Sequence, residues 1–160
     1  MIHLRPRADQ DLPACVRALA AVHAVDRYPM VWPADPVSWL SPPGGSAAWV
    51  VGPTPADGKP TVVLGHVCVV QETDVALVSR LFVAPAGRGQ GLGLGASLLG
   101  AALTHAATYD LHLMLDVVDD DGPAVALYER LGWRLVERRP ADWTAPDGRR
   151  PQLRVYRAPL

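Results

Sequence analysis

The stretch Val83-Ala-Pro-Ala-Gly-Arg-Gly-Gln-Gly-Leu-Gly-Leu-Gly95 constrains the fold of this chain more than any other. Glycines stand at 87, 89, 91, 93 and 95, after a valine-rich segment that reads as a strand and before a long run with helical apolar spacing. An interior glycine costs a helix about 1 kcal/mol, so several in the first turns mark a place where something must approach the backbone closely. The unpaired N–H groups of a helix start, with the positive end of its dipole, make a seat for an anion such as a pyrophosphate. Arg88 adds a charge-assisted contact to such a group.

The elements around this loop follow from apolar spacing and from glycine and proline. Ile2–Arg5 is a strand ending at Pro6, and Asp9 is placed to cap a helix running to about Val25. Residues 26–46 hold five prolines, which predicts an irregular excursion with one short helix near Pro36–Leu40. A loop that long in a compact domain tends to line a binding site. Ala47–Gly52, Thr61–Val70 and Val75–Val83 read as three strands of a meander, joined at Asp57–Gly58 and Glu72–Asp74. Leu92–Thr108 is a helix with Leu94, Leu98, Leu99, Ala102 and Ala106 on its buried side, and Leu111–Val118 an apolar strand. Pro123–Leu131 is a helix with proline in its first turn and Gly132 past its end. Trp133–Arg139 and Gln152–Ala158 are the last strands. The order predicts an α/β (α+β) fold: a mixed, mostly antiparallel sheet of six to seven strands, helices on both faces, and one βαβ crossover.

The 160 residues suit a single domain, 1–160, with no internal repeat or linker. Fifteen basic side chains against 16 acidic ones give a net charge of −1, without the positive field that attracts nucleic acid. No apolar run approaches the ~20 residues needed to span a bilayer, and the charged start MIHLRPRADQD is unlike a signal peptide, so a cytoplasmic protein without a membrane partner is expected. Cys15 and Cys68 show no metal or disulfide spacing, and the five histidines are scattered, so no metal is expected. A homodimer is left open.

Three readings compete for the glycine loop. Gly91-x-Gly93-x-x-Ala96 satisfies a dinucleotide fingerprint, with Asp116 ending the next strand, but the path from Val83 to Gly91 is long and contains Pro85. A nucleotide P-loop fails because no Gly-Lys-Ser/Thr follows. The third reading rests on Val83-x-Pro85-x-x-Arg88-x-x-Gly91-x-Gly93 and on Ala124-Val-Ala-Leu-Tyr128-Glu-Arg-Leu-Gly132-Trp133. The first resembles the acetyl-CoA motif Arg/Gln-x-x-Gly-x-Gly/Ala of the GNAT acetyltransferase superfamily. The second resembles that family's Ala-x-x-Leu-Tyr-x-x-x-Gly-Phe/Trp segment, and the element order is similar over nearly the whole chain.

The resemblance implies acetyl-CoA as cosubstrate, held by backbone N–H groups of Arg88, Gly89, Gln90, Gly91, Leu92 and Gly93. It implies pantetheine pairing along Leu81, Phe82 and Val83, and splayed strands around Val75–Val83 and Leu111–Val118 to admit it. It implies Val83 N–H as oxyanion donor and Tyr128 as proton donor to the leaving sulfur. The expected acceptor is the primary amine of a small molecule or peptide, acetylated by direct attack in a ternary complex. Two positions depart from the family pattern. Many relatives carry a glutamate where this chain has Ser79, so Glu72, Asp74 and Asp116 are the substitute bases, or water relays the proton. Asp121 stands where relatives often have an asparagine that contacts the cofactor. Tyr28, Trp32 and Trp39, with Asp26 and Asp35, are candidates to cradle a cationic amine. The alternative to an enzyme is a non-catalytic acyl-CoA-binding or regulatory module.

Overall fold

In the computed structural model, which describes residues 1–44 and 47–159, one seven-stranded sheet has the order β1-β2-β3-β4-β5-β7-β6. The strands are β1 (Ile2–Pro6), β2 (Ala47–Pro53), β3 (Gly65–Gln71), β4 (Val75–Val83), β5 (His112–Val118), β6 (Arg134–Pro140) and β7 (Gln152–Arg157). The helices are α1 (Leu12–Asp26), α2 (Pro36–Trp39), α3 (Leu94–Thr108) and α4 (Pro123–Arg130). Every strand pair is antiparallel except β4 and β5, which α3 joins by the one crossover a parallel pair requires. This is the mixed α/β sheet, with its single βαβ unit, that the element order predicts.

The pleat sorts side chains between the two faces. Ala76, Val78, Leu81 and Val83 of β4 and Leu113 and Leu115 of β5 lie in the cores containing Leu94, Leu98, Leu99 and Ala102 of α3 and Tyr128 of α4. Phe82 and Ala84 pack on the opposite face with Cys15, Leu19 and Val22 of α1 and with Leu40. The alternation leaves Met114 and Asp116 of β5 on that α1–α2 face. Leu19 and Leu98 are fully buried, and truncating either to alanine costs about 2–5 kcal/mol.

Three elements start two residues or more from where the sequence reading put them. Asp9 does not cap α1: Asp9–Asp11 forms a single 3-10 turn, and α1 starts at Leu12 with Pro13 in its first turn, where a missing N–H costs nothing. The buried Asp11 carboxylate accepts from Ala8 N–H and from both terminal nitrogens of Arg5, each at 2.7 Å. The third strand begins at Gly65, not Thr61. Residues 61–64 cross β2 so tightly that a Cβ at Gly52 would strike the Val62 carbonyl oxygen. The helix after the glycine loop begins at Leu94, not Leu92, because Gly91 and Gly93 have φ of +67° and +62°. The proline-rich excursion carries α2 as its one short helix; residues 45 and 46 of it lie outside the described residues.

Candidate active site

The site is a gap in the sheet. Strands β4 and β5 pair only at Val75–Leu77 against His112–Met114, after which β5 continues against β7 alone. Two features of β4 part it from β5. Its register against β3 shifts between His66–Phe82 and Cys68–Ser79, so Arg80 and Leu81 together oppose Val67 in a bulge. Arg80 takes the left-handed conformation this needs, with φ of +54°. Further along, Ala84 N–H donates to Leu64 O at 2.7 Å on the β3 side, so strand alternation turns the N–H groups of Val83 and Leu81 to the other side, into the gap.

His66 anchors the bulge. It is fully buried, stacked on Phe82 at 5.1 Å, and bridges Arg80 O (2.8 Å from Nδ1) and Arg7 Nη1 (3.0 Å from Nε2). An arginine has only donors, so Nε2 accepts and Nδ1–H donates to the bulge carbonyl: the ring is neutral. Burial, aided by the Arg7 and Arg80 charges against the opposing pull of the Arg80 carbonyl, lowers its pKa to about 4.

The glycine loop closes one end of the gap. Gly89, Gly91 and Gly93 have φ of +73°, +67° and +62°, and a Cβ on any of them would meet nothing within 4 Å. Left-handed residues at every second position gather N–H groups into a concave seat for an anion. Gly93 also occupies the N-cap of α3 without a side-chain cap, which leaves the first N–H groups of the helix open. Gly95 has a different purpose: a Cβ there would stand 3.0 Å from Leu127 Cδ2, so glycine lets α3 lie close to α4. Arg88 donates from Nε to Val83 O (2.9 Å) and pairs with Asp26 at the end of α1. Gln90 Nε2 reaches Ala86 O at 3.1 Å, and Leu92 is exposed.

Tyr128 lies on the α3–α4 face, in the core cluster that includes Leu81 of β4 and Leu115 and Val117 of β5. Helix α4 ends in a Schellman turn, with Trp133 N–H on Tyr128 O (3.0 Å), Gly132 N–H on Glu129 O (3.1 Å) and Gly132 at φ of +87°. That turn fixes the last helical residues, and Trp133 and Tyr156 enclose the Tyr128 ring at 6.1 and 6.0 Å. Its hydroxyl has no hydrogen-bond partner among the described residues. Burial, with Tyr28 and Asp116 adding to it, pushes its pKa well above that of an ordinary phenol, so it keeps its proton at neutral pH.

The sequence profile of the acetyltransferase (GNAT) family matches residues 19–133. The chain belongs to that family. Its fold is similar to that of Arabidopsis thaliana NAA60 in complex with a bisubstrate analogue, with a TM-score of 0.76 and 16% identity over 99% of this chain and 98% of that one. NAA60 is also known in complex with acetyl-CoA (TM-score 0.75, 17% identity, 98% and 97% covered). The ribosomal-protein-S18-alanine N-acetyltransferase of Escherichia coli matches with a TM-score of 0.73 and 23% identity over 100% of this chain and 94% of its own. No curated protein sequence matches the chain.

The acids read in this GNAT sequence are scattered by the fold. Glu72 and Asp74 lie in the β3–β4 turn, where Glu72 N–H meets Val75 O, at the paired end of β4 and away from Val83. They are not brought to the gap. Asp116 lies on the α1–α2 face of β5, 3.4 Å from Arg139 Nη2. Asp121 is 99% exposed before α4, 3.3 Å from Arg154. Cys15 and Cys68 are free and buried, and burial raises their thiols to about 12 and about 11. No group of three metal-ligating side chains occurs among the described residues, and none of their helices is long and apolar enough to cross a membrane.

Several residues expected to form a cationic cradle in the excursion have other partners. Trp39 already carries a cation, the Arg80 guanidinium, 4.0 Å from its ring centroid. Asp26 is paired with Arg88, and Asp35 caps α2 through Ser38 N–H at 3.2 Å. Trp32 packs on His23 at 5.4 Å. Arg80 and His66 are the site residues that sequence reading missed. The available signal was the polar pair Ser79–Arg80 interrupting an apolar strand, the mark of a bulge.

Proposed function

We propose that residues 1–160 act as one acetyl-CoA-dependent N-acetyltransferase domain that passes the acetyl group directly to a primary amine in a ternary complex. The observation that carries this reading is the unpaired gap between β4 and β5, with inward N–H groups on one wall and a protonated tyrosine on the other. An extended pantetheine chain fits as a surrogate strand along Leu81–Val83. The N–H groups from Arg88 to Gly93 would receive its pyrophosphate, with Arg88 bracing the loop against α1 instead of reaching for the ligand. Asp121 at the mouth would be no more than a peripheral contact.

Acetyl transfer needs a neutral amine, a donor for the developing oxyanion and a donor for the departing sulfur. Val83 N–H serves the oxyanion and the Tyr128 hydroxyl the sulfur. Its raised pKa makes Tyr128 a persistent hydrogen-bond donor to the thiolate. The amine nitrogen bonds to the acetyl carbon as the C–S bond breaks; the amine's surplus proton passes to Asp116, directly or through water, and the thiolate, hydrogen-bonded by Tyr128, takes a proton from water and leaves as CoA thiol while Asp116 returns its proton to solvent. Asp116 is favoured over Glu72 because it lies beside the gap, on the face from which an acceptor can enter. Protonated, buried Cys15 and Cys68 argue against an acyl-enzyme.

A second reading, an acyl-CoA-binding module without catalysis, draws on Ser79, where many relatives have a glutamate. The test is CoA release with a panel of amines, each product identified by mass. N-acetylated product with stoichiometric CoA is the expected result; tight CoA binding without turnover on any amine supports the binding module and sinks the enzyme.

A further inference from the structure

Arg80 is the left-handed residue of the β4 bulge, and its side chain is fixed on the α1–α2 face. The guanidinium stacks on Trp39, Nε donates to Trp39 O at 3.0 Å, and Nη1 lies 3.4 Å from Ser79 Oγ. His66 holds the bulge from beneath through Arg80 O. Bulges beside active sites commonly serve to re-aim a side chain. Nη2 has no partner among the described residues, and no described carboxylate forms an ion pair with Arg80. A half-buried cation without a counter-charge is costly, and stacking on a ring leaves the edge of the guanidinium free to grip a planar anion.

Packing ties this side chain to the α1–α2 side of the gap. Tyr28 packs edge-on against Trp39 at 6.1 Å, so Arg80, Trp39 and Tyr28 form one cluster beside Phe82 on that face. Asp116 lies on the same face of β5, across the gap that opens beyond Leu77 and Met114, and Tyr128 lies on the opposite face of the sheet. Arg139 is paired there with Asp116 at 3.4 Å and with Glu137 at 3.7 Å.

We propose that the acceptor is a zwitterionic amine, an amino acid or related aminocarboxylate, whose carboxylate is bound by Arg80 while its amine faces Asp116 and Tyr128. This rests on the acetyl-transfer reading and narrows it. A polyamine offers Arg80 no carboxylate and meets it as a like charge, so it is a poor acceptor on this reading.

The test pairs amino acids with their carboxamides, which keep the amine and lose the negative charge. It compares wild type, Arg80→Gln and Arg80→Lys, with CoA affinity measured on each protein. Binding of the N-acetylated form of each pair to the CoA complex is measured by calorimetry. Wild type should favour the carboxylate member about tenfold to a hundredfold, mainly through KM, as for a charge-assisted pair. Arg80→Gln should bring that ratio close to one, and Arg80→Lys should restore part of it. Carboxamides or polyamines used as well as amino acids overturn the proposal, as does a preference that survives Arg80→Gln. Should no acceptor turn over, equal binding of the N-acetylated carboxylates and carboxamides overturns it as well. Absence of CoA binding instead refutes the acetyl-transfer reading; turnover of amines without a carboxylate preference refutes only this inference.

Discussion

Gly93→Ala separates the two demands the glycine loop meets. Gly93 sits at φ of +62°, and a Cβ there would touch nothing within 4 Å. The mutation therefore creates no clash, and its folding cost is that of an L-residue in the left-handed region, about 1–2 kcal/mol. For a domain of this size that lowers Tm by about 2–8 °C. The same Cβ stands in the space from which an anion must approach the N–H groups, so CoA affinity should fall at least tenfold, or ~1.4 kcal/mol. Gly100→Ala is the control. Gly100 lies on the outer side of α3, at a groove of about 700 Å³ shared with Leu4, Trp49 and His105 and away from the loop; its Cβ also meets nothing. As an ordinary helical position it should gain about 0.4–1 kcal/mol and leave CoA affinity unchanged. Thermal melts and a calorimetric CoA titration on both variants give the comparison. A folded Gly93→Ala protein with wild-type CoA affinity would refute the assignment of this loop to the pyrophosphate.

Tyr128→Phe keeps the packing on Trp133 and Tyr156 and removes only a hydroxyl with no hydrogen-bond partner among the described residues, so kcat and kcat/KM should fall together by ~10²-fold while Tm holds; steady-state kinetics with a melt check this, and undiminished turnover makes Tyr128 a packing residue. Asp116→Asn should lower kcat/KM by ~10²-fold at neutral pH, the loss shrinking as pH rises toward the acceptor's own pKa; full activity at neutral pH points to water relay instead. His66, neutral when folded with a pKa of about 4 against 6.5 in its unperturbed state, lets the unfolded chain bind a proton first as pH falls. Its contribution should therefore erode stability from pH 6.5 down to about 4, by roughly 3 kcal/mol in all, and His66→Gln should flatten that part of a denaturation-versus-pH curve. An unaltered slope in that variant assigns the acid sensitivity to other groups.

Much of this architecture was legible because local chemistry forces it. Pro123 and Gly132 bracket α4 as their conformational limits require, and that helix carries Tyr128. Glycines in the first turns pointed to an approachable backbone and an open helix start, and the loop achieves this with left-handed residues at Gly89, Gly91 and Gly93. The unread parts arise from tertiary context. Asp9 and Asp11 are chemically alike, and only the position of Arg5 makes Asp11 the buried partner. Thr61–Leu64 has strand composition, yet its close crossing over Gly52 keeps it out of the sheet. Arg80 in a left-handed conformation has no local cause; a buried histidine from β3 and a tryptophan from α2 hold it, and neither is near it in sequence. The same long-range contact turns an aromatic pocket that reads as a cation site into one that already contains its cation.

The measurement that bears most directly on acetyl transfer within the β4–β5 gap is a two-substrate initial-rate study with acetyl-CoA and an accepted amine, joined to intact-protein mass after acetyl-CoA alone. Direct attack predicts intersecting double-reciprocal lines, N-acetylated amine as the product and no acetyl group on the protein before the amine is added. Parallel lines with an acetylated Cys15 or Cys68 would contradict it.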